Sequence, residues 1–145
     1  MMLRPATPAD ADAALAIWRS AVDATHGFLA PEDRAAIEAE VAAFLPDAPM
    51  VLACTEDGTP CGFLIRDGAK VEALFVAAES HGRGVGSALL RHAREAAGEP
   101  LEVDANLQAD NALPFYLARG FIETGRSDRD AQGRPYPLVH LRQGA

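Results

Sequence analysis

Between residues 79 and 90 the chain reads Glu79-Ser80-His81-Gly82-Arg83-Gly84-Val85-Gly86-Ser87-Ala88-Leu89-Leu90. Glycines at 82, 84 and 86 permit tight turns and bring bare backbone N–H groups close to a ligand. A helix starting there adds the partial positive charge of its N-terminus. Such a segment cradles phosphate. The local charge agrees: from Glu79 to Arg94 three arginines (83, 91, 94) stand against one acid, in a chain of formal net charge −8. Two nucleotide-binding patterns fail on spacing. A Walker loop needs Lys and then Ser or Thr after its last glycine, where this chain has Ser87-Ala88. A dinucleotide fingerprint beginning at Gly82 needs Gly or Ala at 87 and a parallel βαβ setting.

The elements that must position this loop follow from apolar spacing and turn residues. Leu3 to Ala6 reads as a strand, and Thr7-Pro8-Ala9-Asp10 as a helix start, with Thr7 as cap and Asp10 answering three residues on. Ala11, Leu15, Trp18 and Val22 then mark one apolar face of a helix to about Ala24. A second helix is expected from Pro31 or Glu32 to Leu45, with Ile37, Val41, Phe44 and Leu45 inward and Pro46 and Pro49 ending it. Strands Met50–Thr55, Pro60–Ile65 and Ala69–Ala77, separated by turns, form an antiparallel meander. In the third strand Lys70, Glu72, Leu74 and Val76 share one face. A helix Gly84–Ala97 closes at Gly98, followed by strand Leu101–Ala105, a short helix from about Asp110 to Ala118, and strands Phe121–Ser127 and Tyr136–Leu141. The order β-α-α-β-β-β-α-β-α-β-β makes one α/β domain over residues 1–145.

Composition excludes several classes. With 49% hydrophobic and 23% charged residues in 145, the chain is an ordinary globule and neither disordered nor a coiled-coil rod. Its negative charge is the wrong sign for broad nucleic-acid binding. Cys54 and Cys61 lie in expected buried strands without companions for a zinc site, so they are read as free thiols, and no metal is expected. No basic leader and no run of about 18 apolar residues occurs, which points to a cytoplasmic protein without a membrane partner.

Two motifs in order carry a resemblance. Leu74-Phe75-Val76 with His81-Gly82-Arg83-Gly84-Val85-Gly86 and Leu89-Leu90 resembles the acyl-CoA-binding motif of the GNAT superfamily of N-acetyltransferases. Ala112-Leu113-Pro114-Phe115-Tyr116-Leu117-Ala118-Arg119-Gly120-Phe121 resembles the second signature of that superfamily. The segments Ile17 to Leu29, Gly125 to Asp128 and Gly133 to Leu138 are similar to a bacterial subgroup, the YjaB-like acetyltransferases. The resemblance implies the GNAT fold, a single mixed and mostly antiparallel sheet flanked by helices. Two positions depart from the pattern: His81 stands where Arg or Gln is usual, and Ala109 where Asn is common, with Asn106 and Asn111 nearby.

What the resemblance implies is an acetyl-CoA-dependent transfer to a primary amine, with the cosubstrate held by Leu74, Phe75, Val76, His81, Gly82, Arg83, Gly84, Val85, Gly86, Ser87, Asn106 and Asn111. It places Tyr116 at the thioester sulfur, where a phenol of ordinary pKa about 10 can protonate the departing thiolate. Glu72 in the strand feeding the loop is the expected base, with a solvated acid beside Lys70 and a water relay as the alternatives. At pH 7 a lysine amine of pKa about 10.4 is neutral in roughly one molecule in 2,500, so a base matters most for that acceptor. Trp18, His26, Phe28 and Tyr136 are expected to wall the acceptor cleft, with His140 a weaker candidate and His92 solvated. The acceptor is expected to be a protein or peptide lysine, with a small amine or an antibiotic as rivals, and the protein a monomer or homodimer. The departures at His81 and Ala109 keep a non-catalytic acyl-CoA sensor as the competing function.

Overall fold

The structure, a computed structural model, describes residues 1–109 and 111–144; the expected helix start at Asp110 lies outside them. Strand β1 is Met2–Pro5. The Thr7 signal forms its capping box, with the Asp10 carboxylate accepting the Thr7 N–H at 2.8 Å, but it caps a single 3-10 turn, Pro8–Asp10. Helix α1, Ala11–Thr25, continues from that turn and buries Ala14, Ile17, Trp18, Ala21 and Val22. Helix α2, Pro31–Phe44, starts at Pro31 as the spacing predicts, yet has no fully buried residue. Its Ile37 and Val41 pack against the core from the side. Phe44, expected to face inward, is 53% exposed, because the α-helix ends there and a 3-10 turn hands the inward position to Leu45. Ion pairs also tie α2 to its neighbours: Arg34 bridges Asp23 and Glu38 bridges Arg19, both on α1, and Glu40 bridges Arg134.

The expected meander is β2 Met50–Cys54, β3 Pro60–Asp67 and β4 Lys70–Val76, each pair antiparallel. Helix α3, Val85–Ala97, is followed by β5 Glu102–Asn106, helix α4 Ala112–Ala118, β6 Phe121–Ser127 and β7 Leu138–Gln143. The last strand begins two residues later than expected, since the Tyr136 N–H is spent on Arg134 O inside the preceding turn and Pro137 has no N–H to give. All seven strands form one sheet in the order β1-β2-β3-β4-β5-β7-β6. Among the described residues only β4 and β5 run parallel, pairing at Lys70–Glu102 and Val71–Val103. Beyond those pairs the two strands part.

Two apolar clusters fill the two faces. Helix α1 and the Leu45 turn cover β2 to β4 with Trp18, Val22, Leu52, Phe63 and Ile65, while α3 and α4 cover the opposite face with Leu89, Leu90, Val103, Tyr116, Val139 and Leu141. Along β5 and β7 the alternation is clean. Val103, Ala105, Val139 and Leu141 are buried, whereas Glu102, Asp104, His140 and Arg142 stand on the face that α1 and α2 leave open. In β4 the alternation breaks. Ile65 pairs with Ala73 but Arg66 pairs with Val71, so Glu72 is the extra residue of a β-bulge. The bulge reverses parity: Val71 joins Leu74 and Val76 on the α3 side, and Lys70 therefore does not share their face as unbroken alternation predicted.

Candidate active site

Two adjoining cavities open where β4 and β5 diverge. The larger, about 430 Å³, is walled by Leu74, Phe75 and Val76 of β4, by the glycine loop from Ser80 to Ser87 excepting Arg83, and by Asn111, Phe115, Tyr116 and Arg119. The loop is shaped by glycine where glycine is required. Gly82 and Gly84 have φ of 77° and 79°, the left-handed region, and Gly84 is the N-cap of α3. At Gly86 an added Cβ would lie 2.9 Å from Phe115 Cζ, so a bare backbone is needed for α3 to approach α4. The first N–H bonded within the turn is that of Ala88, to Gly84 O at 3.0 Å. The amides of Val85, Gly86 and Ser87 precede that ladder, as the orphan donors of a helix N-terminus do.

His81 turns back on the loop, its Nε2–H donating to Val76 O at 2.7 Å while the residue still lines the cavity. Arg83, expected among the cosubstrate contacts, is exposed and lines neither cavity. A cation that lines this cavity is Arg119, which the sequence reading missed. Its guanidinium lies 3.7 Å over the Phe115 ring, donates to Ser87 Oγ at 2.6 Å and to Phe115 O at 2.8 Å, and so stands beside the amides of α3. Its place immediately before the Gly120-Phe121 strand entry was the available signal. Asn111 lines this cavity in the left-handed conformation, φ 63°, at the start of α4.

The second cavity, about 140 Å³, is walled by Val71 to Phe75 of β4, Val103 to Asn106 of β5, Ala109, Ala112, His26 and Tyr116. Leu74, Phe75, Tyr116 and His26 line both cavities. Tyr116 is 8% exposed, held between the edges of Phe115 and Phe121 with ring centroids 5.1 and 5.2 Å away. Burial pushes its phenol well above the ordinary range, so it is a protonated donor throughout physiological pH. Glu72, exposed on its bulge, lines the second cavity as the candidate base must. Asn106, expected on the cosubstrate, lines this cavity instead, and its Oδ1 accepts the Gln108 N–H at 2.9 Å.

The expected acceptor-cleft aromatics divide. His26 is at the site: Thr25 O–H donates to Ala21 O at 2.7 Å, so the 2.6 Å contact between Thr25 Oγ and His26 Nδ1 is donated by the imidazole. Trp18 is 3% exposed, lies in the α1 core under Arg34, 4.7 Å from its ring centroid, and lines neither cavity. Tyr136 also lines neither cavity. Its O–H donates to Asp33 at 2.5 Å and accepts the Ala30 N–H at 3.1 Å, and Phe28 packs between Tyr136 and His26.

Asp104, also missed, lines the second cavity. One of its oxygens accepts His140 Nδ1–H at 2.6 Å and the other lies 2.8 Å from Lys70 Nζ. Burial raises this carboxyl, but the hydrogen bonds from His140 and Lys70 outweigh it and hold the group below the usual carboxylate range. Cys54 and Cys61 are buried free thiols, and burial pushes Cys61 up, away from nucleophilic thiolate. Among the described residues no group of three or more His, Cys, Asp or Glu side chains could hold a metal ion.

Residues 24–136 match the model of the acetyltransferase (GNAT) domain family. The chain is 44% identical over 127 residues to the peptidyl-lysine N-acetyltransferase YjaB of Escherichia coli K12, covering 88% of this chain and 86% of that protein. It is 43% identical to the Salmonella typhimurium LT2 protein of the same name, covering 88% and 87%. The solution structure of apo YjaB from Escherichia coli superposes with a TM-score of 0.93 at 41% identity, over 99% of this chain and 98% of that one. A GCN5-related N-acetyltransferase structure from Rhodopseudomonas palustris gives 0.82 at 28% identity, over 99% and 95%.

Proposed function

The chain belongs to the GNAT acetyltransferase family and is an acetyl-CoA-dependent N-acetyltransferase, and from that premise we propose that its acceptor is the side-chain amine of lysine in a protein or peptide, acetylated directly in a ternary complex. One observation carries the reading. Tyr116, Leu74 and Phe75 are shared walls of two cavities, one built on phosphate-binding backbone and the other on the carboxylates of Glu72 and Asp104. A cationic acceptor fits the second, and two relatives named for peptidyl-lysine favour lysine among cationic amines.

Bound acetyl-CoA supplies an acetyl thioester, and this chain's residues do the rest. The amides of Val85, Gly86 and Ser87, with Arg119 beside them, hold its pyrophosphate at the start of α3. The cradle fits the group, because Gly86 leaves the close approach of α3 and Phe115 open and the two left-handed glycines turn the loop around it. Beyond Val71 the β5-facing edge of β4 has no ladder partner. A backbone N–H near Leu74 or Phe75 is thereby available to polarise the acetyl carbonyl. Glu72, directly or through water, takes one proton of the acceptor ammonium, and the neutral amine then forms its C–N bond to the acetyl carbon; as the C–S bond breaks Tyr116 gives its proton to the thiolate, and the second amine proton, released as the amide forms, restores the phenol. His26 walls the acceptor side.

The protein acts as one catalytic domain of residues 1–145 in the cytoplasm, as a monomer or homodimer, and has neither nucleic acid nor membrane as partner. Net charge supports the former exclusion. Among the described residues no helix is long and apolar enough to cross a membrane. The test is thiol release from acetyl-CoA with a lysine peptide, peptides with free N-termini, polyamines and aminoglycosides, and mass spectrometry of each product. Modification confined to lysine side chains is expected; turnover confined to any other class refutes the acceptor assignment.

A further inference from the structure

The second cavity holds a group that neither the proposed acid nor the proposed base explains. Lys70 is the single lysine of the chain. The bulge at Glu72 turns it onto the open face of the sheet, where its ammonium lies 2.8 Å from Asp104 Oδ2. Asp104 lines the cavity beside Glu72 and Tyr116, whereas Lys70 is not one of its walls. The carboxylate therefore joins the cavity to a lysine ammonium already in contact with it. Its orientation is fixed from the far side: Oδ1 accepts His140 Nδ1–H at 2.6 Å, which leaves His140 Nε2 to accept Ser127 O–H at 2.6 Å. Three strands, β5, β7 and β6, are thus committed to aiming one carboxylate.

We propose that Asp104 is the recognition group for the acceptor's ammonium, and that Lys70 is its internal competitor, a built-in lysine that an incoming lysine displaces. The assignment rests on the lysine reading above and names the residue that enforces it. A carboxylate offers about four lone-pair sites, of which His140 and Lys70 engage two, so a second ammonium has acceptors to meet. The exchange is cheap. Lys70 and Asp104 side chains are each 34% exposed, and a partly exposed ion pair contributes little net free energy because water receives the released ammonium well. An uncharged amine has nothing to offer in that exchange. The site accordingly selects cationic over neutral acceptors at the binding step, before Glu72 removes the proton, and Lys70 keeps Asp104 neutralised when no acceptor is present.

The two residues predict opposite signs in one assay. Steady-state kinetics with a lysine peptide and with an arylamine, uncharged at pH 7, would be run on wild type, Asp104→Asn, Lys70→Met and Lys70→Arg. Asp104→Asn raises the peptide KM at least about tenfold and lowers the peptide-to-arylamine ratio of kcat/KM by a similar factor, as loss of a charge-assisted contact does. Lys70→Met lowers the peptide KM by about two- to fivefold, the range an exposed pair is worth. Lys70→Arg restores a competing cation and brings KM back up. A purely structural Lys70–Asp104 bridge predicts that Lys70→Met weakens both substrates alike, and that result overturns the proposal, as does an unchanged peptide KM in both variants while wild type acetylates the peptide. If Asp104→Asn fails to fold, the Lys70 pair decides alone. Failure of wild type to acetylate the lysine peptide overturns the acceptor reading itself, a distinct outcome.

Discussion

Replacing Tyr116 by Phe removes one oxygen and leaves nearly all the packing. The ring sits between Phe115 and Phe121 at centroid distances of 5.1 and 5.2 Å, in edge contacts that a phenylalanine ring reproduces. The fold should therefore lose no more than about 1 kcal/mol, whereas Tyr116→Ala would empty the junction of α4 and β6 at about 3–5 kcal/mol. The chemical loss is of another order. A positioned general acid contributes about 10²- to 10⁴-fold, or about 3–5 kcal/mol of barrier at 1.36 kcal/mol per decade. Because burial holds the phenol protonated well past neutrality, the wild-type kcat should show no alkaline fall from this group between pH 7 and 9. The assay is thiol release with saturating lysine peptide, paired with calorimetry of CoA binding and a thermal melt. Expected in Tyr116→Phe are a kcat lower by at least about 10², CoA affinity within about twofold and a melting temperature within a few degrees. A variant that binds CoA normally and keeps kcat within about threefold refutes the assignment of the acid.

Other substitutions test the site and its scaffold separately. Glu72→Gln should lower kcat/KM for a lysine peptide by about 10- to 100-fold and steepen its rise with pH, because the amine must then lose its proton to solvent; stopped assays from pH 7 to 10 would read this, and a parallel profile would remove Glu72 as base. Gly86→Ala places a Cβ 2.9 Å from Phe115 Cζ, a ring pinned by Arg119, and should weaken CoA binding by about tenfold or more in calorimetry. Gly62→Ala meets Val85 Cγ1 at 2.8 Å and the Phe75 carbonyl at 3.2 Å, so the β3–α3 contact must open at about 1–3 kcal/mol, read as a lower melting temperature. Asp10 is held well below the carboxylate range by the paired hydrogen bonds of Arg4 and the Thr7 N–H. A depressed folded pKa adds stability that is complete above the unfolded value near about 3.9 and fades as pH falls through the folded one. Asp10→Asn should therefore unfold more easily in denaturant at pH 6, with the gap to wild type closing below pH 4.

The glycine loop was legible because its requirements are local: left-handed turns at Gly82 and Gly84 and a helix N-terminus demand residue types that few other settings demand. The order of elements followed from apolar period and turn residues for the same reason. Glu72 illustrates where that reasoning ends. Strand alternation put Lys70, Glu72, Leu74 and Val76 on one face, and only the register against β3 across the hairpin, where Ile65 meets Ala73 but Arg66 meets Val71, reveals the extra residue. The Asp104, His140 and Ser127 contacts were out of reach, since they depend on β7 inserting between β5 and β6. Trp18 was legible in part: its place on the apolar face with Val22 announced a core residue, and the family resemblance suggested a cleft wall.

A single mismatch between layers explains why the acceptor side looks as it does. Helix α1 and the segments joined to it cover β2, β3 and β4, while α3 and α4 cover the other face out to β7. On the α1 side β5, β7 and β6 have no apolar lid among the described residues, and outward positions of β5 and β7 carry Glu102, Asp104, His140 and Arg142. A polar sheet face bordering an apolar layer would be inert if the sheet were continuous. It is not, because β4 and β5 share only two residue pairs before they part. The gap joins the polar face to the cavity of the glycine loop through Tyr116, and the bulge at Glu72 falls at that border. Under the proposed function, an ammonium arriving over the carboxylates would meet the end of the other cavity where the buried phenol of Tyr116 lines both.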